Sequence, residues 1–346
     1  MLLSVCIPLY NRIEVLPALL DSVVTQSDAD FEIVLTEDGS PQRAQIARVV
    51  ADYQARYPGL IRYFENPVNL GFDGNLRRLF ELAQGDYCLF VGNDDLLCAG
   101  ALQIVTSALA RYPDVGAIMR SYATFTGDPP QVLQEFRYFP DERFFPAGTA
   151  SIVTFFRRMV VIPGIVLHRA SALQCATDRF DGTLLYQLYV TGNILAQKNG
   201  VFLPEILALY RTGGVPDFGN SVAEKEKFVP GDQTPESSLH FMRGFLRIAQ
   251  GTEDATGLPV YTPILQDLSN YSYGFIAVQR NRSVRTYLSY CASLARLGFG
   301  RSPLFYVYVL GLLLLGTRRT NQLITWIKQR RGYTPTLGRV YDGQAT

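Results

Sequence analysis

Through the first 120 residues, short apolar runs alternate with stretches of helical spacing. Leu2–Ile7 reads as a first strand, after which Ile13, Leu16, Leu19, Leu20 and Val23 recur as one helix face. Phe31–Leu35 predicts a strand and Gln42–Arg56 a helix that stops before Pro58. Ile61–Phe64 is a third strand, followed by a helix over Gly74–Ala83 closed by Gly85. Tyr87–Val91 is a fourth strand, Ala99–Tyr112 a helix ending at Pro113, and Val115–Met119 a fifth strand. Repeated strand–helix units of this length predict an α/β fold, a mostly parallel twisted sheet with helices on both faces.

Between Thr126 and Pro146 the pattern breaks into a Pro- and Phe-rich loop with room for a small antiparallel element. A helix near Thr149–Arg158, a strand at Ile165–His168, a helix near Leu184–Gln197 and an extended run Val201–Tyr210 follow. Thr212–Pro235 is rich in glycine and proline with mixed charge, which predicts a mobile loop. From Glu236 onward the spacing is helical throughout.

Charge changes how that last region reads. No acidic residue lies between Asp267 and Asp342, whereas Arg280, Arg282, Arg285, Arg296, Arg301, Arg318, Arg319, Lys328, Arg330, Arg331 and Arg339 all do. The chain's net charge of +1 therefore hides an acidic body and a basic tail suited to an anionic partner. Leu304–Leu315 is free of charge but shorter than the roughly 20 residues of a membrane span. With Arg301 before it, Arg318 and Arg319 after it, and Trp326 beside Lys328, it suits a helix lying at an anionic membrane surface. A buried helix of a C-terminal bundle is the competing reading. Aromatic and aliphatic residues in the tail favour lipid over nucleic acid, and no nucleic-acid partner is expected.

The remaining bulk features narrow little. A hydrophobic fraction of 48% is that of a chain with a substantial core. Five scattered cysteines without a CxxC pair suggest reduced thiols in a cytosolic setting. Leu2–Ile7, with no basic residue before it and Pro8, Asn11 and Arg12 after it, is unlike a signal peptide. His168 and His240, the two histidines, are too far apart to suggest a zinc cluster, and His168 reads as structural.

The chemistry collects at strand ends. Tyr87–Val91 runs into Gly92, Asn93, Asp94 and Asp95. Two adjacent carboxylates where a buried strand emerges suit a hard divalent cation, Mg2+ or Mn2+, holding a diphosphate. A helix N-cap is the plainer alternative. The first strand ends in Pro8, Leu9, Tyr10, Asn11 and Arg12; the second in Glu37, Asp38, Gly39 and Ser40; after the third come Asn66, Asn69, Gly71, Asp73 and Asn75. Neither GxGxxG nor a P-loop is present. In a parallel sheet these ends face one crevice. A ring for stacking, an Asp to accept a base N–H and a carboxylate pair for metal together describe a nucleotide-diphosphate site.

The blocks SVCIPLYNR from Ser4, EDGS from Glu37, NLG from Asn69 and GDYCLFVGNDD from Gly85 resemble, in order and spacing, the family 2 glycosyltransferases of the GT-A fold, including abequosyltransferase-like members. The resemblance covers residues 1 to about 212. It implies a glycosyltransferase domain over 1–212, with a nucleotide-binding half to 120 and an acceptor half after it; the flexible loop over 213–235 and the helical, membrane-associating appendage over 236–346 rest on the pattern and charge read above. It implies that Pro8, Tyr10 and Asp38 hold the nucleoside, with Arg12, Asn69 and Asn93 beside them and Arg211 reaching the diphosphate or serving as a surface ion-pair partner. Asp94 matches the last position of the family's Asp-x-Asp motif, with Asp95 next to it as a second metal ligand. Gly92 replaces the motif's first Asp, so Asn93 or backbone takes over the ribose contact.

A second departure concerns the base. Tyr186 and Gln187 stand where inverting members carry a Glu-Asp pair, which leaves Asp181 as the nearest carboxylate, either general base or helix cap. The implied activity is inverting, Mn2+- or Mg2+-dependent transfer from a nucleotide-diphosphate-sugar to a hydroxyl. The acceptor would be a lipid-linked saccharide in bacterial surface-polysaccharide assembly, and the enzyme would sit peripherally on the cytoplasmic face of the inner membrane. Two alternatives are a catalytically idle binding partner and a nucleotidyltransferase of related fold, though the latter wants a Gly-rich basic loop where Pro8–Arg12 stands.

Overall fold

The computed structural model describes residues 2–333 apart from 27–28, 113 and 215–216. Pro113, Arg339 and Asp342, all used in reading the sequence, lie outside the described residues. Among the described residues ten strands form one sheet: β1 Leu3–Leu9, β2 Phe31–Glu37, β3 Ile61–Glu65, β4 Tyr87–Phe90, β5 Leu96–Leu97, β6 Val115–Thr126, β7 Gln131–Phe136, β8 Arg143–Phe145, β9 Ile165–His168 and β10 Asn199–Arg211. Their order is β3-β2-β1-β4-β9-β6-β10-β5, with β7 beside β6 and β8 beside β10. β1 to β4 are mutually parallel, and β6 and β10 run the same way. The short β9 is reversed, antiparallel to both β4 and β6. β7 and β8 are the antiparallel element foreseen between Thr126 and Pro146. β1 is buried along most of its length, which is why its pattern is an apolar run and not an alternation.

Helices cover both faces: α1 Leu16–Val24, α2 Arg43–Arg56, α3 Gly71–Leu82, α4 Ala101–Arg111, α5 Thr149–Phe156, α6 Arg169–Gln174 and α7 Tyr186–Leu195. α1 starts three residues later than its spacing suggests, because Asn11 and Arg12 take positive φ values of 55° and 64° and turn the chain first. That turn brings both residues back over the sheet edge. Neither β5 nor α6 was legible, each being too short to carry a period.

The C-terminal helices are α8 Pro235–Thr256, α9 Tyr261–Asn270, α10 Tyr273–Ala277, α11 Val284–Arg296 and α12 Pro303–Arg331. They do not form a separate body. Phe245, Leu268, Tyr287 and Phe299 lie in one apolar cluster with Phe90, Phe155 and Leu185 of the sheet half. The Phe156 and Phe245 rings meet at 6.2 Å, and Arg157 pairs with Asp267 at 2.9 Å across the same junction. α12 kinks at Gly316, whose φ is 73°. Phe305 and Leu312 bury against the bundle, while Tyr306, Val307, Leu310, Leu314 and Leu315 are exposed. The charge-free run thus has one bundle face and one open face. Among the described residues no helix is long and apolar enough to cross a membrane.

Candidate active site

The carboxyl ends of β1, β2 and β4 meet at one edge, as neighbouring parallel strands must. They line a cleft of about 100 Å³ that gathers Pro8, Tyr10, Arg12, Asp38, Asn69 and Asn93. A larger cleft of about 520 Å³ takes in Arg12, Asp94, Asp95 and Arg211. Arg12 belongs to both, so the nucleoside and diphosphate residues expected from sequence form one continuous site.

Asp38 is the organiser of the smaller cleft. It is buried, its Oδ1 accepting from the Leu70 N–H and Asn66 Nδ2, both at 2.8 Å, and its Oδ2 from the Gly71 N–H at 2.9 Å. Burial pushes its carboxyl up to about 6, against the pull of those three donors. The same bonds fix the start of α3, which begins at Gly71 and not at Gly74. Asn69 closes the turn by accepting from the Gly71 N–H at 2.9 Å. Asn93 donates to the Tyr10 carbonyl at 2.8 Å and so ties the β4 end to the β1 end. The Tyr10 hydroxyl is pushed up, mainly by burial.

Asp94 and Asp95 are adjacent in sequence but face different surroundings. Asp94 stands at the mouth, its Oδ2 accepting from Arg12 Nη1 at 3.0 Å and its carbonyl from Arg211 Nε at 2.8 Å. Burial raises its carboxyl, and the nearby Arg12 and Arg211 oppose that rise. Asp95 is only 2% exposed, and its Oδ1 accepts the Arg211 N–H at 2.9 Å. Burial, reinforced by the Asp94 charge, pushes Asp95 strongly toward the neutral form. Its other oxygen lies over Gly92, where an added Cβ would sit 2.3 Å from it. Asp95 thus buttresses the Arg211 backbone, and Gly92 is the residue that leaves it room. The two carboxylates expected as metal ligands are thus not equivalent in this arrangement, Asp94 facing Arg12 at the mouth and Asp95 the Arg211 backbone.

The site fits a divalent cation in a different arrangement. Asp217, from the segment after β10, approaches Arg12 Nε at 3.6 Å, so the Arg12 guanidinium lies between Asp94 and Asp217. A positive charge already occupies the point that two carboxylates face. Among the described residues no cluster of three or more His, Cys, Asp or Glu side chains is poised to hold a metal alone. Two carboxylates facing one point are within what Mg2+ or Mn2+ takes, since these ions bind one or two carboxylates and complete their shell with water and phosphate oxygens.

Asp181 does not join the site. Its two oxygens are held by Arg77 Nη1 and Nη2 at 2.7 and 2.8 Å, and it lines neither cleft. It caps no helix either: α7 begins at Tyr186, and the carboxylate serving that turn is Asp73. Asp73 accepts the N–H groups of Thr183, Leu184 and Tyr186, each at 2.9 Å. Gln187 offers no substitute base, being buried with its Nε2 on the Val160 carbonyl at 2.9 Å. The general-base role expected of Asp181 is therefore withdrawn in favour of a structural ion pair.

The segment expected to be a mobile loop packs on the cleft instead. Phe218 meets Phe72 edge-on at 5.8 Å, and the buried Glu224 accepts the Phe72 N–H at 2.7 Å and the Gly219 N–H at 2.9 Å. Asp217, Phe218 and Glu224 line the smaller cleft, and nothing in their local sequence signals it.

Comparison with known proteins bears on this arrangement. The model of the glycosyl transferase family 2 matches residues 4–174. Abequosyltransferase RfbV of Salmonella typhimurium is 37% identical over 117 residues, which is 33% of this chain and 34% of that protein. The amylovoran biosynthesis glycosyltransferase AmsB of Erwinia amylovora is 33% identical over 114 residues, 33% of this chain and 37% of that one. The matched stretch thus spans about a third of the length of these curated relatives. S. aureus TarS 1-349, solved in complex with UDP-GlcNAc, superposes with a TM-score of 0.60 at 18% identity, covering 99% of this chain and 95% of that chain. Mannosyltransferase PcManGT from Pyrobaculum calidifontis, solved with GDP-Man and Mn2+, superposes at 0.51 with 14% identity, covering 91% and 86%. At these identities the two structures speak to the fold alone.

Proposed function

Residues 4–174 are a glycosyl transferase family 2 domain on a GT-A-like fold, and from that premise we propose that the protein transfers a sugar from a nucleotide-diphosphate-sugar to an acceptor hydroxyl with inversion, in the building of a bacterial surface polysaccharide. The observation that carries the reading is the meeting, at one sheet edge, of a cleft lined by Tyr10 and Asp38 with a larger one that holds Asp94, the two joined at Arg12. The polysaccharide context rests on the names of the relatives, an abequosyltransferase and an amylovoran biosynthesis enzyme.

In this reading Tyr10 and Pro8 flank the base, and Asp38 accepts one of its N–H groups with the lone pairs its backbone partners leave over. Asn69 and Asn93 hold the cleft edges. Asp94 and Asp217 would hold a Mn2+ or Mg2+ ion, and Arg12, which lies beside both, would face the diphosphate. The chemistry a bound cation supplies is neutralisation of the charge that builds on the departing diphosphate. Arg211, anchored through its backbone by Asp95, adds a second positive charge on the same side.

The acceptor we infer is a lipid-linked saccharide, presented where the protein lies on an anionic membrane surface at the cytoplasmic face. Support comes from the exposed Val307, Leu310 and Leu314 of α12 and from the arginines that flank them.

The test is nucleotide release from a panel of nucleotide-sugars, with Mn2+ and with chelator, for wild type and Asp94→Asn. Release that needs Mn2+ and disappears in the variant is expected. Equal release with chelator, or full activity of Asp94→Asn, would overturn the metal reading. No release from any donor would leave a nucleotide-sugar binder.

A further inference from the structure

A cavity of about 260 Å³ lies between the segment after β10, α8 and α10. That is larger than the roughly 150 Å³ of an apolar cavity that accepts benzene. Its walls are aromatic and aliphatic, Phe218, Phe228, Phe241, Met242, Phe275 and Val278 among them. Of the five polar side chains that line it, all but Gln233 are already engaged. Ser237 Oγ donates to the Thr234 carbonyl at 3.0 Å, Ser238 Oγ accepts from Gln279 Nε2 at 2.9 Å, and Tyr290 donates to the Phe275 carbonyl at 2.9 Å. Asp232 is paired with Arg282 at 2.6 Å. A sugar ring placed here would give up water and gain few hydrogen bonds, which disfavours it. An aliphatic chain loses nothing polar and gains apolar burial.

The cavity is not isolated. Leu184, Phe218 and Phe241 line both it and the larger cleft that holds Asp94 and Arg211. With the nucleoside cleft it shares Phe218 alone. It therefore opens on the acceptor side of the reacting centre, not on the base side. One of its walls is α10, and the chain just beyond α10 is clamped to α12 by Arg280 Nε on the Leu312 carbonyl at 2.8 Å. The exposed apolar face of α12 and the cavity thus flank the same short helix.

We propose that this cavity binds an aliphatic segment of the acceptor, the first part of the chain to which the acceptor saccharide is joined. The identification of the ligand with the acceptor rests on the transfer reading above, whereas the aliphatic specificity rests on the cavity itself. An isoprenoid carrier and an acyl lipid share this chemistry.

Gly274 supplies the test. It lines the cavity, and a Cβ placed there meets no atom within 4 Å. Gly274→Phe adds a ring to the cavity wall at a helical position that favours most residues over glycine, and Gly274→Ala leaves the space largely open. Equilibrium binding of farnesyl phosphate, dodecyl phosphate and inorganic phosphate is measured on the full chain, with UDP affinity alongside. Wild type and Gly274→Ala are expected to bind one or both alkyl phosphates at least tenfold more tightly than inorganic phosphate. Gly274→Phe is expected to lose that advantage with UDP affinity unchanged. Tighter farnesyl phosphate binding assigns the site to isoprenoid, tighter dodecyl phosphate binding to acyl chains. Val278→Trp, which narrows the rim, repeats the test should Gly274→Phe misfold. Alkyl phosphates that bind no better than phosphate, or bind equally to wild type and a folded cavity-filled variant, overturn the proposal. Neither measurement needs sugar transfer, so it fails or succeeds independently of the enzymatic reading.

Discussion

Asp38→Asn separates the two jobs assigned to one buried carboxylate. In the free protein Asp38 already takes three donors, from Leu70, Gly71 and Asn66. A base N–H would be a fourth, to a buried, ionised oxygen, and hydrogen bonds to charged groups contribute about 1.5–3 kcal/mol. Losing that bond weakens nucleotide affinity by about 10- to 150-fold. The pH dependence follows from a carboxyl raised from 3.8 to about 6. Binding needs the ionised form, so affinity should fall about tenfold from pH 7 to pH 5 in wild type. Stability runs the other way. The folded carboxyl holds its proton more tightly than the unfolded one, so its contribution is present at low pH and is lost as pH rises through about 4 to 6. The shift from 3.8 to about 6 corresponds to about 3 kcal/mol. The assay is calorimetric titration of UDP, CDP, GDP and ADP at pH 5, 6 and 7, using the tightest binder for both proteins. The diphosphate titrates in the same range, so the wild-type to Asp38→Asn ratio isolates the side chain. That ratio should shrink toward pH 5. A ratio near one at pH 7, or one that does not change with pH in folded proteins, would refute a nucleoside contact at Asp38.

Asp181→Asn should lower turnover less than tenfold, since its carboxylate serves Arg77; steady-state kinetics showing the ~10²–10⁴-fold loss typical of a general base would restore the catalytic role. Asp73→Ala orphans three buried N–H groups at about 1–3 kcal/mol each and should cost roughly 3–9 kcal/mol in urea unfolding, or prevent folding altogether. The conservative Asp73→Asn should be milder, and wild type should lose stability relative to it as pH rises through about 6, where burial has placed the Asp73 carboxyl. Vesicle flotation should show binding to anionic liposomes that weakens with salt, and Leu310→Glu with Leu314→Glu, both at exposed positions, should reduce it at unchanged melting temperature. Equal flotation of the double variant would mean that α12 merely completes the bundle.

The alternation of apolar runs and helical spacing was enough for the α/β class, because each buried parallel strand and its covering helix leave a local period. It also marked Pro8, Tyr10, Asp38, Asn93 and Asp94, since chemistry in such a sheet collects where an apolar run stops, and the run is visible in one dimension. What two identical neighbours do was not visible. Asp94 meets Arg12 at the mouth and Asp95 is buried on the Arg211 backbone, a distinction set by contacts 82 and 116 residues away. Asp181 looked available until Arg77, 104 residues distant, was found to hold both its oxygens. Glu224 reaches the Phe72 N–H across 152 residues, so a stretch with the composition of a free loop becomes a wall of the cleft. The amphipathic character of α12 was likewise legible, but which of its apolar residues face the bundle and which face outward depends on where α10 and α11 stand. Local periodicity is written in neighbouring residues, whereas a side chain's partner is chosen by whichever distant segment the fold brings within hydrogen-bond reach.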